Sequence, residues 1–432
     1  MATEQKELIK ETYYRILEEE LVPALGCTEP IAVAFAASYA RKLLEAVPTH
    51  MNISCSGNII KNVKGVVTPN SEGMKGIDTA AILGMLGGSS ELKLETLSTV
   101  TKEDIEKTKS LRGQDGFCDI SLIEGGSKLH IIVEAFAGEH RALVEIEDYH
   151  TNITRVERDD KVLLDNRKAT DTDEDCAENK ADRRLLSVRE IIEFAETAEL
   201  ERLIPLLDKQ IRYNSAISTE GLKNSYGTQV GRNLMKHFGD SVHIRAAARA
   251  AAGSDARMSG CDLPVVINSG SGNQGLTVSL PVITYANELG VSSEKLYRAL
   301  IISNLVAIHQ KTQIGNLSAF CGAVTAACGS GAAVTWLAGG TYPQICDTIT
   351  NTLANVSGIV CDGAKASCAA KVATAVNAAL LGHYMSMDDC RFQPGDGIIK
   401  DDIEQTVASV GRLGKFGMRE TDTEILNIMI NS

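Results

Sequence analysis

The spacing of apolar residues along the chain changes from helical to strand-like and back to helical. Residues 4–22 and 31–47 carry apolar side chains at the spacing of amphipathic helices. Between residues 50 and 165 the pattern favours short strands, among them MNISCS, KLETLSTV, FCDISLI and KLHIIVEAFA, with helices between them. From residue 187 onward the segments are helical and rich in alanine, which permits close approach of neighbouring helices.

This pattern predicts an α+β fold with two domains. Residues 1–180 are expected to form an α+β domain with a small mixed sheet, and residues 185–432 an all-α helical bundle. The acidic and polar residues 168–184 are the best candidate for a linker. A length of 432 residues agrees with two or three domains.

Composition and charge exclude several classes of protein. The chain has 43 Lys and Arg against 56 Asp and Glu, a net charge of −13, which argues against a nucleic acid or an anionic membrane surface as partner. No stretch has the roughly 18 apolar residues of a spanning helix, and the first residues lack the pattern of a signal peptide. We therefore expect a cytoplasmic protein. Its odd number of cysteines, 11, indicates free thiols or ligands rather than a disulfide framework.

A glycine-rich segment follows an apolar run in the second half of the chain. Gly270, Gly272 and Gly275 match the G-x-G-x-x-G spacing of a dinucleotide site, where backbone amides at a helix start hold a pyrophosphate. The acidic residue expected after a second strand is not evident, because Glu294 lies in a segment that resembles a helix start. The alternatives are a loop whose amides bind another anion, such as a substrate carboxylate, and a purely structural turn.

Four cysteines of the second half fall into two pairs. Cys321 and Cys328 are seven residues apart, as are Cys361 and Cys368, so each pair would share one face of a helix. Small buried cysteines are common in protein cores, and this is the simpler interpretation of any one of them. Neither the spacing of a structural zinc site nor that of a bacterial ferredoxin is present, but dispersed cysteines can still hold an iron–sulfur cluster.

Cys27 lies directly before a helix start at Thr28-Glu29-Pro30. The unpaired amides and the dipole of a helix start favour an anion, so this position is expected to lower the pKa of the thiol. Its polar neighbours are unusual for an inert core cysteine. The residues alone allow either a reactive thiol or a buried structural one.

Three polar segments are further candidates for lining a site. Residues 57–65 form either part of a pocket or a capped helix start, and residues 254–260 form a polar loop that is either structural or functional. Residues 309–318 lead directly into Cys321, which favours a pocket role for their polar side chains. The side chains of these segments that we expect at a pocket are Asn58, Asn62, Lys311 and Ser318.

Several segments, taken in order, resemble the L-cysteine desulfidase family, which is related to the iron–sulfur L-serine dehydratases. The resemblance runs nearly end to end, and several motifs in one order are more specific than any single pattern. It implies an oxygen-sensitive 4Fe–4S cluster, no pyridoxal phosphate, and cleavage of L-cysteine to sulfide, ammonia and pyruvate. The segments are LVPALGCTEPIAVAFAASYARK, SGNIIKNVKGV, GSDARMSG, NSGSGNQGLTVSLPV, LSAFCGAVTAACG and VCDGAKASC.

The resemblance also implies roles for individual residues. The cluster ligands would be Cys321, Cys361 and Cys368, and Cys27 would be the remaining cysteine near the active site and the candidate base. Cys328 is the main rival ligand. The seven-residue step from Cys361 to Cys368 is shorter than the corresponding gap in the dehydratase relatives, which favours the desulfidase branch. The expected substrate-binding residues are Thr28, Asn58, Asn62, Ser271, Gly272, Asn273, Lys311 and Ser318.

Other functions stay open at this point. An iron–sulfur L-serine dehydratase is the nearest alternative, followed by an NAD-dependent oxidoreductase that uses the glycine-rich segment. A non-catalytic iron–sulfur or thiol sensor is a third, although the sequence shows no basic patch for binding DNA. As partners we expect an amino-acid substrate, L-cysteine, and a second copy of the chain in a homo-oligomer, most simply a dimer.

Overall fold

The computed structural model describes residues 2–167, 180–315 and 317–430. It has the predicted α+β fold, in which helices predominate over a small mixed sheet. Within the described ranges, no helix is long and apolar enough to cross a membrane. Most of the predicted linker, residues 168–179, lies outside the described residues.

The N-terminal half alternates helices with strands. Its helices are α1 (Ala2–Glu20), α2 (Thr28–Leu44), α3 (Gly57–Lys64), α4 (Ile77–Gly87) and α5 (Lys102–Arg112). Its strands are β1 (Pro23–Leu25), β2 (His50–Ser56), β3 (Cys118–Ile123), β4 (His130–Ala137), β5 (His140–Glu147), β6 (Ile153–Arg158) and β7 (Lys161–Asp165).

The second half is helical apart from one short strand, β8 (Pro264–Val266). Its helices are α6 (Val188–Thr197), α7 (Ile204–Lys223), α8 (Val230–Phe238), α9 (Val242–Met258), α10 (Gly272–Glu288), α11 (Ser293–Ile314), α12 (Gly322–Leu337), α13 (Tyr342–Val356), α14 (Cys368–Met387), α15 (Ile403–Arg412) and α16 (Arg419–Ile430).

A six-stranded mixed sheet forms the centre of the N-terminal half, with the strand order β3-β2-β4-β5-β6-β7. β2 and β3 run parallel, and the other neighbouring strands are antiparallel. Along β2, Met51, Ile53 and Cys55 are buried and alternate with partly buried residues, because successive side chains of a strand point to opposite faces. The buried face packs against α2 and α4 and forms the core of this half.

One predicted strand is wrong. The run KLETLSTV lies in a 3-10 helical segment, Ser90–Thr99, and not in the sheet. The segment is kinked, with non-helical backbone angles at Lys93 and Glu95, and Leu94 and Leu97 on either side of Glu95 are both buried. The apolar residues of this run therefore meet the core from a kinked helical segment and not from a strand.

Small residues allow the helices of the second half to pack closely. α12 lies between α11 and α14 and is composed largely of Ala, Gly, Ser and Thr. Gly329 of α12 approaches α11 so closely that a Cβ atom would overlap the carbonyl oxygen of Ser303. The helices therefore pack as closely as the alanine-rich sequence predicts.

Each end of the chain packs against the other half of the protein. Tyr13 of α1 is buried against the helical half and donates a hydrogen bond to the carbonyl of Leu185 at 2.8 Å, and β1 pairs antiparallel with β8. At the other end of the chain, α16 packs on α3, where Lys61 Nζ lies 2.6 Å from Asp422 Oδ1 in a buried ion pair. The first helix thus shares a core with the helical half. A domain division at residues 180–185 stays a prediction.

Candidate active site

A cavity of about 170 Å³ lies where several helices begin. Cys27 precedes α2, Ser271 precedes α10 and Cys321 precedes α12 at their N-cap positions, and Cys368 is the first residue of α14. All four residues line the cavity. Because the first amides of a helix lack internal partners and carry the positive end of its dipole, the cavity is suited to anionic groups.

Three cysteines of the helical half line this cavity. Cys321 and Cys361 lie on adjacent segments: the Cys361 amide donates to the carbonyl of Ala319 at 2.6 Å, and the Cys321 amide donates to that of Ile359 at 3.0 Å. Cys368 completes the group from the start of α14. Among the described residues, these three sulfurs are not a set that lies within 4.8 Å of one another, so they are spread more widely than the ligands of a single ion.

Cys328, the rival ligand, lies elsewhere. It is fully buried in the interior of α12 and does not line the cavity. The seven-residue spacing from Cys321 does not bring it to the same space, because Cys321 precedes the first turn and Cys328 lies in the helix. Cys261 is also buried away from the cavity lining.

Cys27 forms a buried pair with Glu29, a residue that the sequence analysis noted only as part of a helix start. The Cys27 thiol donates to Glu29 Oε2 at 2.9 Å. Burial and the charge of the Glu29 carboxylate raise the pKa of Cys27 well above its ordinary value. The predicted lowering of this pKa is therefore wrong, because these two effects outweigh the helix start.

The Glu29 carboxylate is held on several sides. Asn62 Nδ2 donates to Oε1 at 2.9 Å, and Thr28 Oγ1 donates to Oε2 at 3.1 Å. His150 Nε2 lies 3.8 Å from Oε1, too far for a hydrogen bond but close enough for a charge contact. Burial by itself raises the pKa of Glu29, but the neighbouring His150 and the Cys27 thiol outweigh it and lower the pKa below its ordinary value. The carboxylate is thus ionised in the pair.

The other predicted substrate-binding residues divide into two groups. Five of them line the cavity, namely Asn62, Ser271, Asn273, Lys311 and Ser318. Lys311 lies near the C-terminal end of α11, where burial lowers its pKa to about 8. Ser318 donates to the carbonyl of Gly414 at 2.7 Å, so its hydroxyl is engaged with the protein.

Thr28, Asn58 and Gly272 are not among the residues that line the cavity. Besides Glu29, Thr28 Oγ1 reaches the carbonyl of Gly270 at 3.0 Å and ties α2 to the glycine-rich loop. Asn58 Nδ2 donates to Asp422 Oδ2 at 3.2 Å, because α16 covers the first turn of α3. Gly272 provides space, since a Cβ atom there would overlap the guanidinium of the neighbouring arginine, Arg257.

Arg257 is the main cavity residue that the sequence analysis missed. Residues 254–260 were expected to form a polar loop, but α9 continues through Met258 and carries Arg257 into the cavity lining. Arg257 is only 2% exposed, and its Nε donates to the carbonyl of Gly26 at 2.9 Å. No carboxylate of the described residues forms an ion pair with it. The run of alanines before it was the available signal, because it is typical of a helix that continues.

Several buried polar atoms around the cavity have no protein partner. They belong to side chains from both halves of the chain: Asn62 Oδ1, His150 Nε2, Asn273 Oδ1 and Gln274 Oε1. Buried polar atoms in proteins are almost always hydrogen-bonded. Polar groups of a ligand or ordered water in the cavity would satisfy these atoms.

A sequence model of the serine dehydratase alpha chain family matches residues 91–427. The chain belongs to the serine dehydratase alpha chain family. It is also similar over its whole length to proteins named UPF0597: 54% identical to that of Lachnoclostridium phytofermentans, over 96% of this chain and 98% of the relative. The corresponding protein of Desulfitobacterium hafniense is 50% identical, over 100% of this chain and 99% of the relative. That of Treponema denticola is 46% identical, over 97% and 98%.

Membership in the serine dehydratase alpha chain family indicates a lyase of the iron–sulfur dehydratase type. The surroundings of the glycine-rich segment are not those of a dinucleotide site. It follows β8, a strand of three residues that, within the described residues, pairs with β1 in a two-stranded antiparallel sheet. A dinucleotide site needs the parallel βαβ unit, which residues 264–288 do not form.

Replacing Glu29 with glutamine is expected to make Cys27 more reactive towards alkylation in this family member. The change removes the negative charge that opposes the thiolate, so the pKa of Cys27 falls and the alkylation rate rises at a given pH. The rate of iodoacetamide labelling at Cys27, followed by mass spectrometry from neutral to alkaline pH, measures this shift. Asp148→Asn, which removes a carboxylate from the same cavity lining, is the control. An unchanged or more alkaline profile in Glu29→Gln would contradict the prediction.

Proposed function

We propose that this chain is an L-cysteine desulfidase, a carbon–sulfur lyase that releases sulfide, ammonia and pyruvate without pyridoxal phosphate. The observation that carries the proposal is the convergence of three cysteines and the Cys27–Glu29 pair on one cavity. The family supports a lyase of the iron–sulfur type, and the cysteine-directed activity goes beyond what the family alone supports.

The donor chemistry of the cavity fits an iron–sulfur cluster. Cys321, Cys361 and Cys368 offer only sulfur, which is the usual ligand of such clusters. We assign these three residues as the ligands of a 4Fe–4S cluster. When bound, a cluster with three protein ligands supplies an open iron that acts as a Lewis acid towards the leaving group.

Cations lie in the same cavity lining as the three cysteines. Thiolate ligands bring negative charge into a buried space, which is costly unless cations lie nearby. The lining holds Arg257, Lys311 and Lys371 beside the carboxylates of Glu20, Glu29 and Asp148, and Lys371 also pairs with Asp362. Lys371 also lies 2.9 Å from the carbonyl of Val360, directly before Cys361, which fixes its position beside the cysteine loop.

We assign the substrate carboxylate to the start of α10. The amides there are free of helical partners, and Ser271, Asn273 and the guanidinium of Arg257 lie on the same part of the cavity. A buried cation without an acidic partner can form a charge-assisted hydrogen bond with a carboxylate. An amino acid lying there would extend towards the cysteines.

The substrate ammonium would lie at the Cys27–Glu29 pair. Asn62 Oδ1 is a buried acceptor without a partner, and the adjacent Glu29 carboxylate is ionised. An ammonium group at this position offsets the charge of Glu29 on Cys27 and lowers the pKa of the thiol. Substrate binding thereby favours the thiolate that acts as base.

The elimination then needs one proton acceptor. Cys27 Sγ accepts the Cα proton, the electron pair of that bond forms the Cα=Cβ double bond, and the Cβ–S bond breaks with its pair on the departing sulfur. The proton returns to the released sulfide. The aminoacrylate that remains tautomerises to an imine and hydrolyses to pyruvate and ammonia.

L-Serine dehydration is the second candidate, because it is the reaction for which the family is named. Anaerobically reconstituted protein should release sulfide from L-cysteine with a higher kcat/KM than it releases pyruvate from L-serine. The opposite ranking would assign the chain to the dehydratases. Absence of turnover on both substrates by protein with a full cluster would contradict the lyase proposal and support a sensor.

A further inference from the structure

The glycine-rich loop at the cavity is a tight turn with two left-handed residues. Ser269 and Gly270 have φ angles of 48° and 74°, and the turn is closed by hydrogen bonds between Asn268 and Ser271 in both directions, at 3.2 and 3.0 Å. Left-handed backbone is unfavourable for Ser269 because serine has a Cβ atom. A conformation of this kind persists where the surrounding structure fixes it.

A chain of buried amides fixes this turn from the helical half. Gln210 of α7 and Asn304 of α11 exchange two hydrogen bonds of 3.0 Å each, so that both amide groups are locked in orientation. Asn268 Nδ2 donates to Asn304 Oδ1 at 3.0 Å, and Ser269 Oγ donates to Asn268 Oδ1 at 2.9 Å. Gln210, Asn304 and Asn268, which we call the amide ladder, are fully buried.

The amide ladder does not belong to the cavity itself. None of its three residues lines the cavity, whereas Ser269, Gly270 and Ser271 all do. The ladder therefore connects the turn to two long helices, α7 and α11, which are not adjacent to the turn in the sequence. Asn304 Oδ1 accepts from both Gln210 Nε2 and Asn268 Nδ2, so the orientation of the Asn268 side chain is tied to the Gln210–Asn304 pair. A displaced Asn268 would lose this buried hydrogen bond.

We propose that Gln210, Asn304 and Asn268 are positioning residues that hold the Ser269–Ser271 turn in place to receive the carboxylate of the ligand. This inference rests on the proposed function, since it is the start of α10 to which we assign the substrate carboxylate. It explains why a turn with a left-handed serine is anchored by a polar network in the middle of a bundle composed of small apolar residues.

Binding of an unreactive ligand tests the amide ladder. L-Alanine has the carboxylate and the ammonium but no leaving group, and L-alaninamide lacks only the carboxylate charge. By calorimetry, the reconstituted wild-type protein should bind L-alanine about 10-fold or more tightly than L-alaninamide. Asn268→Ala and Asn304→Leu should lose most of this preference, since a small displacement of positioned groups has a large effect on a ligand contact.

A double variant separates positioning from stability. In Gln210→Leu/Asn304→Leu both paired amides become apolar, so the melting temperature should recover relative to Asn304→Leu alone. The preference for L-alanine should not recover, because Asn268 still lacks the Asn304 side chain. Asn351→Ala is the matched control: Asn351 is equally buried and donates to the carbonyl of Cys390 at 3.0 Å, remote from the turn. It should lose stability but keep the preference.

The possible failures are distinguishable. If the ladder variants keep the wild-type preference for L-alanine, the positioning role is overturned while the carboxylate site stands. If the preference returns together with the melting temperature in the double variant, the ladder serves stability alone. If the wild-type protein does not distinguish L-alanine from L-alaninamide, the carboxylate assignment in the proposed function is itself overturned.

Discussion

Cys361→Ala is expected to abolish both the iron–sulfur cluster and turnover. Cys361 is one of the three cavity cysteines of the helical half, and removing it would leave two of the proposed sulfur ligands. A cluster with one fewer thiolate loses the coordination that retains it. After anaerobic reconstitution, the variant should lack the broad charge-transfer absorbance of an iron–sulfur cluster, should contain little iron or acid-labile sulfide, and should release no sulfide from L-cysteine.

Cys328→Ala is the matched control for this experiment. Cys328 is a buried cysteine of the same bundle that does not line the cavity, so its replacement by the slightly smaller alanine should leave the cluster and turnover in place. If Cys328→Ala loses the cluster and Cys361→Ala retains it, Cys328 and not Cys361 is the cluster ligand. A colourless Cys361→Ala protein that still turns over L-cysteine would refute a role for the cluster.

The sequence predicted the fold where its periodicity matched the packing. The alternation along β2 places Met51, Ile53 and Cys55 in the core, and the alanine-rich helices form the tight bundle that their composition favours. It failed for residues 93–100, where threonines and leucines resemble a strand although Leu94 and Leu97 are buried from a kinked 3-10 segment. Whether a segment forms a strand depends on its tertiary neighbours, and a local sequence pattern does not show these neighbours.

The lining of the cavity was predictable where it consists of residues at helix starts. Cys27, Ser271 and Cys321 are all N-cap residues, and breaks between helices are visible in a sequence. Arg257 and His150 were missed for a different reason. Arg257 projects from the interior of α9, and His150 reaches Glu29 from a loop after β5, so only the tertiary structure brings them to the cavity.

The helix start next to Cys27 favours a lower thiol pKa, but larger effects outweigh it. A helix start contributes about 0.3–1 kcal/mol in favour of an anion. In general, two like charges about 4 Å apart repel each other by on the order of 4 kcal/mol at an effective dielectric constant of about 20. Burial and the Glu29 carboxylate, which lies 2.9 Å from the thiol and accepts a hydrogen bond from Asn62, therefore determine the direction of the shift.

Cys27→Ala is expected to keep the cluster and the substrate but to lose turnover. Cys27 lines the cavity from the N-cap position of α2 in the N-terminal half, whereas the three proposed ligands lie in the helical half. Its removal should therefore not alter the cluster absorbance. Loss of a general base typically reduces the rate by about 10²–10⁴-fold. Sulfide release from L-cysteine under anaerobic conditions measures the effect, and calorimetry with L-alanine shows that the amino-acid site remains.

Proton exchange isolates the role of Cys27 from that of the leaving group. In D₂O, the wild-type protein should exchange the Cα proton of L-alanine, because this step needs a base but no bond to a departing sulfur. Cys27→Ala should abolish the exchange, whereas Cys55→Ala, at a buried cysteine of the sheet, should retain it. If Cys27→Ala retains both the exchange and sulfide release, the base must be another group of the cavity. Because Lys311 has a lowered pKa of about 8 and lines the same space, it would be the next residue to replace.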